Sequence, residues 1–147
     1  ELNIIPFATD ELVVAMNPEH PLAGKDNLSI DELKGVDFIA FEKDIPTRKA
    51  TDEILRNADI EVSIAMEFDN VETVKRALEI NAGVAIIPKN TASNEVQRNQ
   101  LVVSRLDNGK HIRPLSLIHK KTRMLTPALR SFIKKMQHSP LTEKISA

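Results

Sequence analysis

The chain has no cysteine in its 147 residues, only four glycines, and an aromatic content of 3%. Each scarcity closes off a class of function. Without cysteine there are no disulfides, no thiolate metal sites and no thiol nucleophile. Four glycines are too few and too scattered for a dinucleotide fingerprint or a glycine-rich phosphate loop. Lys plus Arg (20) nearly balance Asp plus Glu (21), a formal net charge of −1. A surface gripping nucleic acid all over would carry a basic excess, because phosphate neutralisation dominates such binding. No apolar tract approaches the roughly 20 residues that a membrane helix requires, and no charged-then-apolar leader opens the chain. The expectation is a cytoplasmic protein with no membrane partner and no cofactor. What is present, 41% apolar and 28% charged residues, is a globular composition.

Glu1 is not an initiator residue, and Leu2-Asn3-Ile4-Ile5-Pro6-Phe7 starts as though a sheet were already under way, so the chain reads as a fragment of a longer protein. A tag-processed terminus is the alternative. Charge is uneven: residues 1–32 hold seven acids and one base, whereas 108–142 hold eight bases and no acid. The basic stretch reads as the solvated face of a last helix, placed where the helix dipole favours cations, since no aromatic residue is interleaved for base stacking.

Apolar runs and helical stripes alternate, the pattern of an α/β fold. Glu11–Met16 is a strand, broken by Asn17-Pro18 and His20-Pro21. Ser29 and Glu32 have capping-box spacing for a brief helix that Gly35 stops. Val36–Phe41 is the next strand, and Ala50, Ile54 and Ala58 mark a helix beyond it. In Glu61–Phe68 the residues Val62, Ile64, Met66 and Phe68 should share one face of a strand. Asp69 or Asn70 caps a helix with Val71, Val74, Ala77 and Leu78 as its stripe, and Gly83 is its expected stop. Val84–Ile87, ending at Pro88, reads as a strand buried on both faces. A polar helix is expected over Thr91–Arg98 with Asn90 as cap, then two strands, 101–106 and 112–119, around an Asn108-Gly109 turn. Thr126 caps the last helix, with Pro127 in its first turn and Leu129, Phe132, Ile133 and Met136 on one face; the tail from Ser139 should fray.

These landmarks, in this order, resemble the effector-binding domain of LysR-type transcriptional regulators. The matching stretches are Leu12–Met16 with Asn17-Pro18-Glu19-His20-Pro21-Leu22-Ala23, then Ser29–Leu33 with Phe38–Phe41. They continue with Phe68–Lys75, Ala82–Pro88, Arg113–His119 and Leu125–Ile133. The resemblance covers almost all of residues 3–137 and implies an α/β fold like the type 2 periplasmic binding proteins, a mixed sheet flanked by helices. It divides the chain into the end of a first lobe with a crossover (1–22), a second lobe (23–107), and a crossover strand with a C-terminal helix returning to the first lobe (108–138). It further implies a small, anionic effector in an interlobe cleft, a homo-oligomer (dimer or tetramer), and DNA contacted through a domain that would precede Glu1.

In that fold the cleft is built largely from helix N-termini, whose amides and dipole favour anions. The corresponding residues here are Thr47 and Arg48 at one helix start and Asn70 and Val71 at another, with Phe41, Phe68 and Pro88 as apolar lining. In one subgroup the first of these turns reads Glu-Lys-Gly-Ser-Gly-Thr-Arg. Glu42, Lys43, Thr47 and Arg48 agree with it, but Asp44, Ile45 and Pro46 replace the small residues, adding bulk and an acid and removing an amide. The plainer reading is that Thr47 and Asn70 only cap their helices, Arg48 is solvated and Phe41 and Phe68 pack the core. Arg123 faces either the cleft or a partner subunit. Catalytic readings have little to stand on: His20, His111, His119 and His138 lack metal-ligand spacing, and no nucleophile-elbow or zinc-protease motif occurs. Porphobilinogen deaminase shares a related fold but needs a cysteine. The expectation is therefore a ligand-sensing regulatory domain, not an enzyme. The rivals are a solute-binding protein of the same architecture, and an oligomerisation module whose last helix and strand near Val62 form contacts without any ligand.

Overall fold

A computed structural model describes residues 1–138; the tail expected to fray, 139–147, lies outside the described residues. The chain divides into two compact units. One comprises Glu11–His111, the other Glu1–Asp10 with the described residues from Ile112 to His138. The first strand, β1 (Leu2–Met16), runs through both and is far longer than the six residues its apolar run suggested.

In the unit Glu11–His111 the further strands are β2 (Asn27–Leu28), β3 (Asp37–Phe41), β4 (Ser63–Phe68), β5 (Ala85–Pro88) and β6 (Val102–Leu106). The last five residues of β1 are all buried, because they lie between β5 and β6, both antiparallel to them. β2 pairs parallel to β6, and β3 pairs parallel to β4. A parallel bridge between Phe38 and Val84 links these two groups of strands.

The period-two rule then sorts the side chains onto two faces. Leu12, Val14 and Met16, Phe38 and Ala40, and Val84 and Ile86 join one apolar cluster. Ala15, Ile39 and Phe41, and Ala85 and Ile87 join the other. Helix α1 (Pro46–Asn57) puts Ile54 and Leu55 into the first cluster, and α2 (Val71–Glu79) puts Val74, Ala77 and Leu78 into the second. Unbroken apolar runs are therefore required of the central strands, since a helix covers each face. Each of the larger of these side chains, Val, Leu, Ile, Met or Phe, contributes about 1.5–3 kcal/mol by leaving water.

Several details differ from the sequence expectation. A bulge in β4 sets Ile64 opposite Phe38 but Met66 opposite Ile39, with Ala65 as the extra residue. The stripe from Val62 to Phe68 therefore changes face midway: Val62 packs with the Phe38 cluster and Phe68 with the Ile39 cluster. Gly83 is not the stop of α2. That helix ends at Glu79, and Asn81, at φ 57°, makes the left-handed turn beyond it. Gly83 serves a tighter purpose, since a Cβ there would lie 2.3 Å from the carbonyl oxygen of Asp37. The Ser29–Glu32 turn is a 3-10 helix (Ile30–Leu33), in which Glu32 Oε2 accepts from the Ser29 amide at 3.1 Å. The polar helix is shorter than expected. Residues Lys89–Ala92 form a 3-10 turn and only Ser93–Gln97 are α-helical (α3), because Thr91 Oγ1 and Ser93 Oγ donate to the Pro88 and Asn90 carbonyls and hold the chain in tight turns. Ala92, not Asn90, occupies the cap position.

In the other unit, β7 (His111–Lys120) pairs with β1, and α4 (Pro127–Gln137) follows. The strands flanking Asn108-Gly109 thus pair with β1 and not with each other. Thr126 Oγ1 accepts from the Leu129 amide at 3.3 Å and Pro127 opens α4, as the sequence indicated. No residue of α4 is buried.

Candidate functional site at the carboxyl ends of three strands

Because β3 is parallel to β4 through Phe41↔Phe68 and is joined in parallel to β5 at Val84, the chain leaves all three strands at the same edge. Phe41, Phe68 and Pro88 are the exit points, and the Glu42 amide donates to the Phe68 carbonyl at 2.9 Å. From Phe41 the chain turns into α1 on one face; from Phe68 it turns into α2 on the other. Open α/β sheets take their ligands at such an edge, where connections diverge to opposite faces. The six residues singled out from the sequence, Thr47, Arg48, Phe68, Asn70, Val71 and Pro88, all lie on these exits and the helix starts that follow them.

Asn70 is the cap of α2. Its Oδ1 accepts from the Thr73 amide at 2.9 Å and from Thr73 Oγ1 at 3.0 Å, while its Nδ2 donates to Asp69 Oδ1 at 2.6 Å. The amides of Val71 and Glu72, earlier in that turn, have no acceptor within the helix. Val71 and Phe68 are half-buried against the second apolar cluster. Pro88 is buried.

At α1 the cap position falls on Ile45, which makes no side-chain cap, and Pro46 is the first helical residue. Thr47 is therefore the second residue of the helix and is buried, not a cap. Arg48 also departs from expectation. It is 5% exposed and is not solvated. Its Nε donates to Asp52 at 2.8 Å, and its Nη1 donates to the Phe41 carbonyl at 2.6 Å and to Glu67. Burial alone would depress its pKa, but the bonds to Glu67 and Asp52 outweigh it and raise the value further. A guanidinium so engaged clamps the carboxyl ends of β3 and β4 to the first turn of α1. The bidentate grip on an anion, suggested by its residue type, is not the geometry present.

The sequence reading missed Lys75. This residue is 6% exposed, and its Nζ donates to the Thr91 carbonyl at 3.1 Å and pairs with Glu72 and Glu95 at 2.9 Å each. It ties α2 to the segment that follows Pro88. Desolvation opposes its charge, and the bonds it donates to Glu95 and Glu72 prevail, so its pKa is raised. The hydrogen bond from Lys75 in turn lowers that of Glu95. One signal was available: Lys75 follows Val71 by four residues and Val74 by one, on the stripe meant for burial, with Glu72 three residues before it.

Among the described residues no cluster of three or more His, Asp or Glu could hold a metal ion, and no helix is long and apolar enough to cross a membrane. The site thus offers oriented amides, a clamped scaffold and apolar walls. That chemistry suits binding.

A family described as the LysR substrate binding domain matches residues 1–139. A probable RuBisCO transcriptional regulator of Synechocystis is 28% identical over 138 residues, covering 92% of this chain and 40% of the relative. The regulator CysL of Bacillus subtilis is 27% identical over 119 residues, covering 81% and 40%. The chain thus spans about 40% of the length of these curated relatives. Among solved structures, the regulatory domain of Synechocystis CcmR in complex with 2-PG superposes with a TM-score of 0.85 at 27% identity, covering 93% of this chain and 66% of that one. The effector-binding domain of QuiR in complex with shikimate gives 0.81 at 21% identity, covering 97% and 66%, a likeness of fold.

Proposed function

Because the chain belongs to the LysR substrate-binding domain family, we propose that it senses a small anionic metabolite at the edge formed by Phe41, Phe68 and Pro88. The carrying observation is the convergence of two helix starts and three strand ends on that one edge. In this reading the first-turn amides of α1 and α2 meet the negative group of the ligand, Phe68, Val71 and Pro88 border its apolar part, and Thr47 and Asn70 flank it. Arg48 acts by positioning the turn. The two compact units are the second lobe and part of the first. The remainder of the first lobe and a DNA-binding domain belong to a longer, cytoplasmic, oligomeric protein. Ligand that favours one arrangement of that protein shifts the population toward it, by no more than its difference in affinity for the two.

Isothermal titration of the intact regulator tests this, using 2-PG and shikimate, the molecules bound by the two structural neighbours, within a wider panel of carboxylates and phosphate esters. Saturable binding that Val71→Pro abolishes is expected, since proline removes one of the amides. Heat from no anion in the panel, or binding indifferent to Val71→Pro and Thr47→Ala, sinks the proposal.

A second reading, a contact surface without ligand, draws support from β4. Among the described residues this strand pairs on one side only, and Ile64 and Met66 are 44% and 41% exposed. An oligomeric state that Ile64→Lys disrupts, in a protein that binds nothing on the panel, would favour it. The family membership favours neither a transported solute nor catalysis.

A further inference from the structure

The connection from β6 to β7 holds a group of residues that the sensing site does not use. Asp107 is pinned: its amide donates to the Leu28 carbonyl at 3.0 Å, and its Oδ1 accepts from the Ile30 amide at 3.2 Å. From His111 the chain is already in β7. Between these anchors Asn108, Gly109 and Lys110 are exposed, and Gly109 has φ 123°. The imidazole Nε2 of His111 lies 2.8 Å from Asn108 Oδ1. An amide oxygen can only accept, so Nε2 carries the proton and donates it into this bond.

We propose that Asn108 is a site of spontaneous succinimide formation and deamidation, assisted by His111. The Gly109 amide nitrogen attacks Cγ of Asn108 and a new C–N bond closes the five-membered imide. The Cγ–Nδ2 bond breaks, and Nδ2 leaves as ammonia, carrying the proton lost from the Gly109 nitrogen. Water then adds to either imide carbonyl, giving aspartate or isoaspartate, so the net change is amide plus water to acid plus ammonia. Negative charge gathers on Oδ1 as the nitrogen attacks. The His111 N–H is already aimed at that oxygen, as an oxyanion donor is.

Of the ten asparagines in the chain, Asn108 alone precedes glycine. Asn17 is followed by proline, which has no amide hydrogen to lose, and Asn3, Asn27 and Asn70 by Ile, Leu and Val, whose side chains crowd the approach. Apart from its two chain neighbours, nothing lies within 4 Å of the space a Cβ would take at Gly109, so no other part of the chain obstructs the turn as the ring closes. Burial lowers the pKa of His111 and so keeps the ring neutral near pH 7. The products place a carboxylate beside Asp107, and isoaspartate inserts a methylene into the backbone that links β6 to β7.

The test is incubation of the purified chain for days at neutral pH and body temperature, followed by peptide mapping with mass detection and enzymatic isoaspartate labelling. Asn108 is expected to convert before every other asparagine, to a mixture of both acids. His111→Phe is expected to slow the conversion roughly tenfold, the effect of one neutral hydrogen bond on a barrier. A synthetic peptide spanning 106–110 lacks the imidazole and supplies the comparison should that variant fail to fold; the intact chain is expected to convert faster than the peptide. Another asparagine converting first overturns the site. Conversion of His111→Phe, or of the peptide, as fast as that of the intact chain overturns the role of His111.

Discussion

The two compact units treat their apolar residues in opposite ways. Within Glu11–His111, β1, β3 and β5 alternate into clusters on two faces, and a helix covers each. In the other unit the same kinds of pattern occur, yet Leu2, Ile4, Ile112, Leu115, Ile118, Met124 and Phe132 are exposed, Met124 at 92%. Only Ala8 and Asp10 are buried there among the described residues. An amphipathic pattern states which face seeks cover; it does not state that the cover belongs to the same stretch of chain. In the first unit the β-α-β connections bring α1 and α2 along with β3, β4 and β5. In the second, β7 and α4 have the stripes, but none of their residues after His111 is buried among the described residues.

The sharpest way to test this contrast is a matched pair of truncations. Ile86→Ala, in the doubly covered strand, should cost about 2–5 kcal/mol, whereas Phe132→Ala on α4 should cost well under about 1 kcal/mol because its ring is half exposed already. Urea midpoints of the two variants decide; equal losses would mean that α4 is covered as fully as β5. A smaller effect is expected at the caps. Asn70→Ala should cost about 1 kcal/mol of global stability. Thr126→Ala removes a similar bond from a helix with no buried residue, so its effect should appear as faster amide exchange in α4 and leave the main unfolding transition where it was. The smallest effect concerns acid. The folded-state pKa of Glu95 lies below its ordinary 4.5 because Lys75 donates to it. A lowered carboxylate pKa stabilises the fold above the unfolded value and loses that contribution as pH falls through the folded one. Glu95→Gln should therefore be less stable than the parent at pH 7, with the gap closing below about pH 4.5, as melting curves across that range would record.

Much of the fold was legible because the central strands are covered on both sides, so continuous apolar runs such as Val84–Ile87 and Leu12–Met16 had one reading. The capping chemistry at Asn70 and Thr126 was equally plain, since each oxygen reaches an amide three residues on. What escaped depended on register and on partners distant in sequence. The bulge at Ala65 leaves no compositional trace, and Gly83 looked like a helix stop until Asp37 lay beside it. At the candidate site, spacing located the helix starts but could not reveal that Glu67 and the Phe41 carbonyl had already engaged Arg48. Lys75 was hidden for the same reason, as Glu95 lies 20 residues away.

The close approach of Gly83 to Asp37 has a bearing on how variants of this protein should be interpreted. The seam it occupies aligns the strand that ends at Phe41 with the strand that ends at Pro88. Even a methyl group there would wedge the two apart at their amino ends and tilt their far ends, where the proposed ligand would bind. A saturation scan should therefore find a position, remote from every residue of the proposed site, at which the proposed ligand binding fails as completely as if that site itself had been cut away.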